Sequence, residues 1–185
     1  MNPLKKAIIF LILGVAALLI PGTIIKSFYA GWVVPNFVMM LVVFLAFYRG
    51  LPGDALLVFL LGLEQDLASL SLLGPWAGAY TVVFAVLTLF SRRIFIESGW
   101  VVFITVYAAT LAADGIYLGM LSLVYGSLNF SSASLTTSLW EGLLSAACAP
   151  LIFSWLRRTL IEKETEARYL TPRASSTWRS NGGRI

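Results

Sequence analysis

Six long apolar stretches joined by short loops leave this chain almost nothing with which to build a water-soluble fold. They lie at Ala7–Ile25, Trp32–Tyr48, Ala55–Leu73, Pro75–Ser91, Trp100–Tyr125 and Leu139–Leu156, each near the ~20 residues that carry a helix across the hydrocarbon of a bilayer. The strict polar and apolar alternation of a membrane barrel strand is missing, so every backbone group must be satisfied within a helix. Of 185 residues, 59% are hydrophobic and 12% charged, with a mean hydropathy of +0.87; soluble domains run at roughly 45–50% and ~25%. The sequence therefore predicts an all-α integral membrane protein. Its six transmembrane helices occupy residues 1–158, and a basic tail follows at 159–185.

The distribution of Lys and Arg orients the spans, because short basic loops are held on the cytoplasmic side. With six crossings, Lys5-Lys6, Arg49, Arg92-Arg93 and Arg157-Arg158 all fall on one side, and the other holds only Lys26. Both termini are expected in the cytoplasm. The first run lacks a small-residue cleavage pattern and is expected to stay attached. Aromatic residues near the span ends, among them Phe28, Tyr29, Trp32, Trp76, Trp100, Tyr125, Trp140 and Trp155, fit a headgroup-level belt. Arg157, Arg158, Lys163, Arg168, Arg173, Arg179 and Arg184 stand against Glu162, Glu164 and Glu166, so the whole net charge of +4 lies in the chain from Arg157 onward. A tail of this kind rests on anionic lipid or meets an acidic partner, and beyond Thr171 its composition predicts disorder.

Reactive chemistry has few carriers here. The chain has no histidine, and its one cysteine, Cys148, sits in an apolar run as a small packing residue. No catalytic set, metal cluster or intrachain disulfide can be assembled from such residues. No glycine-rich phosphate loop is present, so the chain is not expected to power transport itself; no cofactor and no nucleic-acid partner are expected.

Four acids interrupt or border the apolar runs, and charge at that depth normally turns toward a partner or a cavity. Glu64 and Asp66 point about 200° apart on a helix and cannot form a carboxylate pair. Gly62, Asp66 and Ser69 share one face, which suits a helix contact, although Asp66 near the end of its run is equally placed to be solvated. Asp114 lies beside Gly115 and Gly119, whose spacing permits close helix packing. Glu141 reads as an interfacial acid near a helix N-terminus. None of the acids has an intramembrane Lys or Arg to pair with, which disfavours a charge-relay transporter.

Three patterns together resemble the rod shape-determining MreD family of bacteria. Val34-Pro35-Asn36-Phe37-Val38 opens the second run as that family's Pro-Asn start does. Gly62, Asp66 four residues on, and Leu73-Gly74 closing the run match its most specific motif. Pro150-Leu151-Ile152-Phe153 before Arg157-Arg158 is similar to its last helix, where the family often has an Asn five residues before the Pro and this chain has Ser145. The resemblance covers about Ala7 to Arg158. It implies a fold similar to the S subunits of energy-coupling-factor transporters. It also implies a place in the elongation (Rod) complex, binding MreC and linking MreB indirectly to peptidoglycan synthesis by RodA and its penicillin-binding transpeptidase. Pro35, Asn36, Gly62, Asp66, Gly74, Asp114, Gly115 and Gly119 are then the positions expected to form partner contacts or structural motifs, within membrane lipid and without catalysis.

The competing expectation is an S-type subunit that takes up a vitamin or other small solute, with a polar pocket drawn from Asp114, Tyr117, Asn129 and Trp140. A membrane enzyme using Asp114 as a base is a third, weaker alternative.

Overall fold

A computed structural model describes residues 3–19, 34–48, 52–69, 72–91, 98–126 and 132–162. These residues form six α-helices and no strand: α1 Pro3–Leu19, α2 Phe37–Tyr48, α3 Pro52–Ser69, α4 Pro75–Ser91, α5 Gly99–Tyr125 and α6 Ser132–Leu156. The sequence limits at Ile25 and Trp32, Lys26, the loop arginines Arg49, Arg92 and Arg93, and the tail beyond Glu162 lie outside the described residues. So do Phe28 and Tyr29.

Two helices, Gly99–Tyr125 and Leu135–Thr159, are long and apolar enough to cross a membrane. The segments Ile8–Leu19, Phe37–Tyr48 and Pro75–Ser91 are apolar but shorter, and α3 carries Asp54, Glu64 and Asp66 within its 18 residues. The run expected to be helical to Leu73 is described as helix as far as Ser69, and Leu72-Leu73-Gly74 make the turn into α4.

The compact unit that runs to Ile152 is built around α2. This helix packs on α1, α3, α4 and α5, and every side chain from Val38 to Ala46 is buried. A helix apolar on all sides belongs in the centre of a bundle. At 1.5 Å per residue its 12 residues span about 18 Å, so its N-terminus begins inside the surrounding helices. The outer helices reverse the usual polarity of a surface. Ile12, Leu56, Leu67, Val86, Leu89, Ile104, Leu123 and Leu143 are exposed, Leu123 to 86%. Such a surface suits lipid as solvent.

The chain from Phe153 forms a second unit. It holds the last turn of α6 and a π-helical segment, Arg157–Glu162, in which the Thr159 hydroxyl donates to the Trp155 carbonyl at 2.9 Å.

Candidate functional site

The α3–α4 hairpin gathers three of the motif residues into one joint. Gly74 has φ +119°, a backbone conformation that favours glycine. Its carbonyl accepts the first helical bond of α4, from Gly78 at 2.8 Å. A helix start exposes unpaired N–H groups, and here one buried carboxylate takes them all. Asp66 Oδ2 accepts from Gly74 (2.9 Å) and Ala77 (3.2 Å), and Oδ1 accepts from Trp76 (3.0 Å). Pro75, the intervening residue, has no N–H to satisfy. Charge and helix dipole act together in this position. Gly62, one turn before Asp66, lets the helices approach so closely that a Cβ there would collide with the Ala77 backbone and lie 2.9 Å from the Trp76 carbonyl oxygen. Asp66 is therefore fully buried and held by its own chain. Of the two placements open to it in the sequence, the solvated one is excluded.

A second joint forms where α2 begins. Asn36 caps the helix through Oδ1, which accepts from the Met39 N–H at 2.9 Å. Its backbone N–H donates to Ser145 Oγ on α6 at 2.8 Å. Nδ2 donates to Tyr80 Oη on α4 at 3.1 Å, and the tyrosine hydroxyl is directed back at Oδ1, 3.3 Å away. The Ser145 hydroxyl donates in turn to the Glu141 carbonyl at 2.7 Å. Asn36 also hydrogen-bonds the Glu141 side chain. Pro35, the other half of the motif, stands just before the cap, where its carbonyl accepts the Phe37 N–H at 3.2 Å.

Helices α5 and α6 run antiparallel. Gly99 faces Pro150, a Cβ on Gly142 would meet the Tyr107 ring at 3.2 Å, and Asp114 hydrogen-bonds Ser138. This register brings Asp114 and Glu141 into the Asn36 joint. Glu141 is thus no helix-start acid: α6 begins at Ser132, nine residues earlier, and the carboxylate is half-buried in a polar cluster. The apolar run begins only at Leu139 because Ser132, Ser134, Thr136, Thr137 and Ser138 dilute the apolar signal of the first turns of α6.

The other candidates separate. Cβ atoms placed at Gly115 and Gly119 would meet nothing within 4 Å, so among the described residues no helix of this chain occupies their close-packing face. Glu64 projects away from Asp66 toward α1, where its Oε2 and the Leu61 side chain fill the space beside Gly14. That Glu64 oxygen is buried without a hydrogen-bond partner among the described residues. Tyr117 stacks on Trp76 at 4.2 Å, Trp140 is exposed, and Asn129 lies outside the described residues. Trp76 is half-buried against Tyr117, and Trp100 is exposed. Cys148 is half-buried and free.

The family model for the rod shape-determining protein MreD matches residues 3–159. The chain belongs to this MreD family. It is accordingly a rod shape-determining membrane protein. No curated protein and no solved structure matches it. The match runs through both joints, so Asn36, Gly62, Asp66 and Gly74 all fall inside the MreD region. Sequence reasoning missed Tyr80 and discounted Ser145. It also passed over Asp54, which is buried in α3. Tyr80 gave no signal beyond being an aromatic in an apolar run.

Proposed function

We propose that this MreD-family protein is a non-enzymatic membrane scaffold of the bacterial elongation complex. In this reading it holds MreC in the inner membrane, and through MreC it influences MreB filaments and peptidoglycan synthesis by RodA and its transpeptidase partner. The observation that carries the reading is the family match over residues 3–159. The conspicuous polar residues support it, because Asp66 and Asn36 spend their hydrogen bonds on helix starts. A scaffold needs such fixed joints, since a partner reads helix faces that must not shift. The outward face around Gly115 and Gly119 leaves room for a second helix to approach closely.

Six crossings with both termini in the cytoplasm complete the proposal. That topology places Lys5-Lys6, Arg49, Arg92-Arg93 and Arg157-Arg158 together on the side where basic residues are retained.

The test is co-purification. Full-length tagged protein, extracted from membranes of its rod-shaped host with mild detergent, is expected to bring MreC with it. Recovery of the protein without MreC, at a level where MreC is present in the same membranes, contradicts the scaffold reading.

A further inference from the structure

The joint around Asn36 holds more negative charge than the start of α2 requires. Asn36, Tyr80 and Ser145 complete one another's hydrogen bonds. Of the two acids beside them, Glu141 is hydrogen-bonded by Asn36 and Asp114 by Ser138, yet one carboxylate oxygen stays bare. Asp114 is only 7% exposed, and its Oδ2 is buried with no hydrogen-bond partner among the described residues. One turn along α6 from Ser138, the residue that Asp114 engages, the Glu141 carboxylate lies close enough to repel that of Asp114. From Ile8 to Leu156 the described residues include no Lys or Arg, and the chain has no His. A buried carboxylate persists where something neutralises it and fills its lone pairs. This chain supplies nothing described that does so.

We propose that the Asp114–Glu141 pair, framed by Asn36, Tyr80 and Ser138, binds a primary ammonium group from outside the chain. An ammonium carries three N–H donors and no acceptor, and two carboxylates with a bare oxygen present acceptors and little else. The described residues contain no group of three acidic or other ligating side chains able to hold a metal ion, so an organic cation is the better match. The described residues do not wholly enclose the neighbourhood of the pair. Gly115, next to Asp114, is exposed with 4 Å clear around the place of a Cβ, and Glu141 is itself only half-buried. The ammonium comes either from a phosphatidylethanolamine headgroup or from a free small amine.

Thermal unfolding of the full chain in nanodiscs distinguishes these sources. The reference nanodisc contains phosphatidylcholine and phosphatidylglycerol. One arm titrates ethanolamine hydrochloride into it, with sodium chloride and tetramethylammonium chloride as controls. The other arm replaces half of the phosphatidylcholine with phosphatidylethanolamine. A bound ammonium is expected to raise the unfolding midpoint by about 3 °C or more at saturating ligand. The D114N/E141Q variant is expected to lose that response, and E141Q alone serves for the comparison if the double variant does not fold. A shift in both arms identifies a site for any primary ammonium, and a shift in the lipid arm alone identifies the headgroup. No shift of the wild-type chain in either arm overturns the proposal. So do equal shifts with the control salts, or an undiminished shift in the variant.

Discussion

Gly62 and Ala77 bring the backbones of α3 and α4 into contact: a Cβ on Gly62 would lie 2.8 Å from the Ala77 nitrogen. That same nitrogen donates to Asp66 at 3.2 Å. One glycine thus sets the distance across which one carboxylate caps the next helix, and the two residues act as a single device.

Replacing Asp66 removes the acceptor for three backbone donors at once. Asp66→Ala is expected to destabilise the protein by on the order of 2–4 kcal/mol, because buried N–H groups are left unpaired. Asp66→Asn keeps one acceptor and is expected to lose about half as much. Thermal unfolding in detergent, followed by the monodisperse fraction on size exclusion, reads both. Equal stability of Asp66→Ala and wild type would refute the capping role.

Glycines in this chain differ in what surrounds them, and alanine substitution exposes the difference. Gly62→Ala is expected to lose about 1–3 kcal/mol, since backbone has to move to admit the methyl group. Gly119→Ala meets open space and is expected to gain up to about 1 kcal/mol from improved helix propensity. Gly74→Ala is expected to lose about 1 kcal/mol, because φ +119° is unfavourable to any side chain. The order of unfolding midpoints, Gly119→Ala highest and Gly62→Ala lowest, is the result to check.

Much of the α3–α4 joint is legible in the sequence. Gly62, Asp66 and Gly74 stood out as small and charged residues in an apolar run, and Gly74-Pro75 announced a turn. What the sequence did not reveal is the destination of the carboxylate. A local cap acts on N–H groups two or three residues ahead, whereas Asp66 reaches 8, 10 and 11 residues ahead, across a turn. That reach depends on the close approach at Gly62, which is a tertiary fact. The Asn36 joint divides in the same way. An Asn before an apolar run reads as a helix cap. Its partners Tyr80 and Ser145 lie 44 and 109 residues along the chain, and nothing local marks either of them.

Those distant partners make a further prediction. Ser145→Ala leaves the Asn36 N–H without its acceptor and is expected to lose about 1–3 kcal/mol, although it deletes only one oxygen. Asn36→Ala should lose at least the ~1 kcal/mol of a helix cap. Tyr80→Phe removes a hydroxyl whose hydrogen bonds among the described residues are with Asn36. A double-mutant cycle over Asn36→Ala and Tyr80→Phe is expected to give a coupling of about 0.5 kcal/mol or more. Strict additivity would show that the two side chains do not interact.

The central claim is that this membrane protein sets rod shape as a scaffold, and cell width after depletion tests it most directly. In the rod-shaped host, turning off synthesis of the protein is expected to give progressively wider and finally round cells. Re-expression of the wild-type chain restores rods. Cells that stay rod-shaped through several generations without the protein would contradict the account.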